Sequence, residues 1–80
     1  MSANHRARAK AGRHRGLDPT PRQVRIAQLI ADGCTLAEAG QALGISRSVV
    51  QETLANLGAR LGLRTRPEIV VEMMRRGLVT

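Results

Sequence analysis

T-L-A-E-A-G-Q-A-L-G-I-S-R-S-V-V-Q-E-T-L-A-N-L-G-A-R-L, running from Thr35 to Leu61, holds two apolar patterns of helical period separated by Gly44-Ile45-Ser46. At that break glycine can take a positive φ without a Cβ clash, and serine can accept a hydrogen bond from the first free amides of a following helix. A short helix, a tight turn and a longer helix in this order read as a helix-turn-helix, in which the second helix lies in the major groove of DNA. Gly40 falls inside the first of these helices, where it costs about 1 kcal/mol relative to alanine. The reading it invites is a packing role, with the second helix crossing there.

The same punctuation recurs on both sides of this stretch. A hydroxyl residue opens, and a glycine closes, four units: Thr20 to Gly33, Thr35 to Gly44, Ser46 to Gly62 and Thr65 to Gly77. T-P-R-Q, T-L-A-E and T-R-P-E place Gln or Glu three residues after the threonine, the spacing of a capping box. Pro21 falls at a first helical position, where its missing N–H is no loss. The expectation is an all-α, four-helix domain over residues 17–80.

Within the units the apolar residues repeat at helical spacing. The first carries Val24, Ala27, Ile30 and Ala31, widened by Ile26 and Leu29; the second carries a narrow stripe of Ala39, Ala42 and Leu43. In the third, Val50, Leu54, Leu57 and Leu61 share one face. At about 100° per residue the opposite face holds Ser48, Glu52, Ala55 and Ala59, flanked by Val49, Asn56 and Gln51. The fourth has Ile69, Val70, Met73 and Met74 along one side, more apolar surface than a small core needs, and is assigned to a subunit contact.

The 80-residue chain contains no Phe, Tyr or Trp, so its core must be built from smaller aliphatic residues and methionine, and dimerisation would add burial. Its single cysteine, Cys34, excludes an intramolecular disulfide and suits a reducing compartment. No apolar run has the length of a membrane span and no secretion signal is evident, which places the protein in the cytoplasm, associated with the nucleoid. His5 and His14 have no Cys, Asp or Glu beside them, so neither a metal nor another cofactor is expected. Cys34 has no histidine in its segment, and there are no paired carboxylates or phosphate-cradling glycine loop. An enzyme is therefore not expected.

The formal charge of +7 is concentrated at the start of the chain. Arg6, Arg8, Lys10, Arg13 and Arg15 precede the first acid, Asp18, whereas the remainder sets eight arginines against six acids. Residues 1–16 read as a disordered basic arm that attracts phosphates irrespective of sequence or enters a minor groove; the plainer alternative is a solubilising tail.

T-P-R-Q at Thr20 to Gln23, L-I-A-D-G at Leu29 to Gly33, L-G-I-S at Leu43 to Ser46 and L-G-L-R-T-R-P-E at Leu61 to Glu68 follow one another in an order that resembles the LuxR/GerE-type helix-turn-helix domain of bacterial regulators. The resemblance covers the chain apart from the arm. It implies four helices, with the third, about residues 46–61, in the major groove and the fourth pairing two subunits. It departs from the family where DNA is contacted: Val49-Val50-Gln51 stands for Thr-Val-Lys, Thr53 for His, Leu36-Ala37 for Asn-Lys, and Gln23 for a glutamate able to pair with Arg66. Arg22 and a basic Arg60 are retained.

Ser48, Val49, Gln51 and Glu52 are the expected base contacts, because an amide can pair with adenine, a carboxylate can accept from cytosine N4 and valine can meet a thymine methyl. Arg22, Thr35, Arg47, Thr53, Asn56 and Arg60 are the expected phosphate contacts, together with the arm's basic residues. Arg64 and Arg66 read either as further phosphate contacts or as solvated charge. These features point to a sequence-specific regulator binding double-stranded DNA, a short inverted repeat, as a homodimer. The alternative is a protein-interaction module of the same fold that binds another transcription regulator or RNA polymerase, through Glu52 and the fourth helix.

Overall fold

The computed structural model describes residues 18–80; the basic residues assigned to the arm and both histidines lie outside the described residues. Four helices run α1 (Pro21–Ala31), α2 (Leu36–Leu43), α3 (Arg47–Leu61) and α4 (Arg66–Arg75), with no strand among the described residues. Each begins where its cap dictates. Thr20, Thr35 and Thr65 accept from the amides of Gln23, Glu38 and Glu68, and those side chains accept in return from the threonine amides, so all three capping boxes close. Ser46 caps α3 by accepting from the Val49 N–H at 3.1 Å. No helix among the described residues is long and apolar enough to cross a membrane.

The core has two halves that share α1 and α3. Ile26, Leu36, Ala39, Val50 and Leu54 pack one half, between α1, α2 and the first part of α3. Ala27, Leu57, Ile69, Met73 and Val79 pack the other, between α1, the later part of α3, α4 and the chain beyond it. Adjacent residues on α1, Ile26 and Ala27, thus face different halves, as the 100° step between neighbours allows. Ala42, expected in the α2 stripe, is exposed, and Leu36 takes its place against the core.

Val79 closes the second half and is held there by a side chain that imitates a backbone. Gln28 of α1 accepts from the Thr80 N–H at 3.1 Å and donates to the Thr80 carbonyl at 3.0 Å. Its amide thereby pairs with the chain end as a neighbouring strand would. This tie links residues 52 positions apart.

The turns between α2 and α3, and between α3 and α4, repeat one device. Gly44 adopts φ 71°, and the Ile45 N–H returns to the Gly40 carbonyl at 2.9 Å. The chain then passes so close over α2 that a Cβ on Gly40 would stand 2.6 Å from the Ile45 carbonyl oxygen. One helix later, G-A-R-L-G-L at Gly58 to Leu63 repeats G-Q-A-L-G-I at Gly40 to Ile45. Leu63 N–H returns to the Gly58 carbonyl at 2.8 Å, and a Cβ on Gly58 would stand 2.9 Å from the Leu63 carbonyl oxygen.

Two outcomes follow from this architecture. Gly40→Ala gains helix propensity of about 1 kcal/mol, but the added methyl meets main chain that cannot rotate away. Overpacking of this kind costs about 1 to 3 kcal/mol, so the net change in urea unfolding is expected to be destabilising, whereas an unclashed helical glycine would gain stability. The second concerns pH. Glu68 is held below the ordinary glutamate range by the amides of Thr65 and Arg64 and by the Thr65 hydroxyl, and Glu72 by the side chains of Arg76 and Arg75. A carboxyl depressed in the native state stabilises it above the unfolded-state value, and that contribution disappears as pH falls through the native one. Thermal midpoints are expected to drop on acidification through this range, and Glu68→Gln is expected to flatten that dependence.

Candidate nucleic-acid interface

The face of α3 turned from the core is defined by what the core takes. Val50, Leu54, Leu57 and Gly58 are buried, which leaves Ser48, Gln51, Glu52, Ala55, Asn56 and Ala59 exposed along a helix of 15 residues, about 22 Å long. Ser48, Ala55 and Ala59 are short, so a partner can approach the helix backbone between them. A helix of this diameter, about 10 to 12 Å, matches the width of the major groove.

The residues expected to contact bases do not occupy equal positions. Ser48, Gln51 and Glu52 are exposed, whereas Val49 is half-buried. Glu52 has no ion pair among the described residues. Gln51 stands to one side of the ridge and lines an open groove of about 180 Å³ with Leu36, Leu54, Ala55, Arg64, Arg66 and Ile69.

Of the expected phosphate contacts, Arg22, Thr35, Arg47 and Asn56 are exposed. The Thr35 hydroxyl accepts the Glu38 N–H at 3.0 Å in capping α2, which leaves its own proton available. Thr53 is a correction: it is half-buried, and its hydroxyl donates to the Val49 carbonyl one turn back at 2.7 Å. The proton that a phosphate would receive is committed within the helix. Arg60 is also engaged, donating through Nη1 to the Asp18 carbonyl at 2.8 Å, which ties the chain before α1 to the end of α3.

The expected subunit contact on α4 requires a second correction. Ile69 and Met73 are 4% and 0% exposed and belong to the protomer's own core. They lie four residues apart on the inner face, while Val70 and Met74 lie one helical step round. The outward apolar surface consists of half-buried Val70 with exposed Val71, Met74 and Leu78. Val70, Val71 and Met74 join Ile30, Ala31, Arg66 and Pro67 around a groove of about 560 Å³ between α1 and α4.

Arg75 and Arg76 both turn to Glu72, at 3.1 and 2.9 Å. Cys34 is a half-buried free thiol, and among the described residues no three metal-ligating side chains come together. Gln23, at the position where the family resemblance calls for glutamate, is buried and completes the α1 capping box. Arg66 makes no ion pair within the described residues. Two features escaped the reading of the sequence: the Gln28 clamp, for which a lone glutamine gives no signal, and the close approach at Gly58, which the repeated G-x-x-L-G spacing would have revealed.

Compared with known proteins, the chain matches no family model and no curated protein.

Proposed function

We propose that this chain is a LuxR/GerE-type helix-turn-helix protein that binds double-stranded DNA sequence-specifically, as a transcription regulator. The observation carrying the reading is the α3 face: a ridge of short side chains with Ser48 and Glu52 upon it, presented by a helix whose other side is locked into both halves of the core. The tight Gly40 turn, the ordered family-like motifs and the basic residues before Asp18 support the same reading.

In this mechanism α3 enters the major groove. Ser48 and Glu52 meet base edges, Glu52 accepting from a cytosine amino group. Arg22, Arg47 and Thr35 meet flanking phosphates, and the basic arm contributes attraction that does not depend on sequence. Two copies associate through the outward surface of α4, with Val70, Val71 and Met74 at its centre, so that two α3 helices address an inverted repeat.

That apolar surface also favours a second reading, in which the domain binds another regulator or RNA polymerase. Salt separates the two, because phosphate contacts weaken steeply with ionic strength and an apolar contact does not.

The test is selection from a library of random duplexes, with the full chain compared with one starting at Leu17. Enrichment of the same inverted repeat by both is expected; retention without enrichment, lost with the arm, would reject sequence-specific reading. Glu52→Ala is expected to relax preference at one base pair, reducing discrimination by about 1 to 3 kcal/mol. Met74→Asp should shift a dimeric parent to monomer in sedimentation, and a monomeric parent would remove α4 pairing from the mechanism.

A further inference from the structure

Gln51, Arg64 and Arg66 converge on one groove from two different elements. Gln51 projects from the exposed side of α3, while Arg64 and Arg66 flank the Thr65 cap that opens α4. Leu36, Leu54 and Ile69, all nearly buried, form the apolar floor. Neither arginine has a carboxylate within ion-pair distance among the described residues. The adjacent acid, Glu68, has its Oε1 occupied by the amides of Arg64 and Thr65 and by the Thr65 hydroxyl. It lines a different groove with Leu63, Pro67 and Val71.

Two guanidinium groups and an amide around an apolar floor form a site for a phosphodiester. Arginine presents a planar fork of N–H donors suited to phosphate oxygens, and an amide contributes another. The apolar floor removes part of the solvent screening that makes exposed charge pairs weak. The groove is continuous with the α3 ridge through Gln51 and Ala55, so a DNA strand beside that ridge would carry its backbone past the arginines.

We infer that the Gln51–Arg64–Arg66 groove seats a backbone phosphate of the DNA strand lying along α3, and that Gln51 serves this phosphate rather than a base. The inference rests on the DNA-binding reading above. It gives Gln51 a sequence-independent role, and it makes the turn before α4 part of the DNA surface.

The experiment measures affinity of the full chain across a salt series, on a random duplex and on a duplex enriched by selection. Circular dichroism first confirms that each variant folds; the two arginines and Gln51 are exposed, so their replacement is expected to leave the core intact. Arg64→Gln/Arg66→Gln is expected to flatten the slope of log affinity against log salt by about 0.9, the value for the one phosphate the groove seats. Between about 50 and 200 mM salt the parent should therefore lose roughly three- to fourfold more affinity than the double variant. Arg64→Lys/Arg66→Lys should restore most of the slope. Gln51→Ala should weaken both duplexes by the same factor.

A double variant with the parental slope would overturn the inference, as would a Gln51→Ala loss confined to the enriched duplex. A parent that binds DNA without enriching any sequence would defeat sequence-specific reading yet leave the phosphate groove testable and, on the expected slopes, supported. A parent that retains no duplex at any salt would reject both.

Discussion

Two carbonyl groups resting on two glycines hold this domain in shape. At Gly40 and Gly58 the chain leaving a helix doubles back over it at a separation that excludes even a methyl group. The first contact sets the crossing of α2 and α3, and the second sets that of α3 and α4. Because α3 is the later partner in one and the earlier partner in the other, its orientation is fixed from both ends. A core without aromatic rings has less area with which to impose such angles, and main-chain contact supplies the definition that large side chains would otherwise provide.

The helices were legible because their start and stop signals are local. A threonine and a carboxyl or amide side chain three residues on close the same short ring in almost any surroundings, and the cap residues anticipated at Thr20, Thr35, Ser46 and Thr65 are those found. The inner face of α3 was legible for a similar reason, since Val50, Leu54 and Leu57 repeat at helical spacing. What could not be read depends on distant partners. Val79 has no periodic context, and Gln28 acquires its role only when Thr80 arrives beside it. On α4 the apolar residues cover more than one face, so periodicity alone could not decide which pair, Ile69 with Met73 or Val70 with Met74, the core would take.

The candidate site shows the same division. Exposure of Ser48, Gln51 and Glu52 follows from the burial of their neighbours, but the surroundings of each side chain do not. Thr53 turns its hydroxyl inward to its own helix, Arg60 reaches a carbonyl 42 residues away, and Gln51 sits beside arginines from another element. With only two net positives after residue 17, the placement of charge matters more than its total. Arg75 and Arg76 share the single carboxylate of Glu72, while Arg64 and Arg66, beside the α3 ridge, have no ion pair among the described residues.

The division of the core into two clusters bears on how the molecule breathes. Amides of α4 and of the segment ending at Val79 depend on the second cluster, and they can open to solvent without disturbing the α2–α3 corner, which depends on the first. Hydrogen exchange would then proceed in two stages, with α4 exchanging through a partial opening and α1 and α3, which serve both clusters, only on global unfolding. A partner seated on α4 would close that partial opening, and so would slow exchange at α4 amides it never touches.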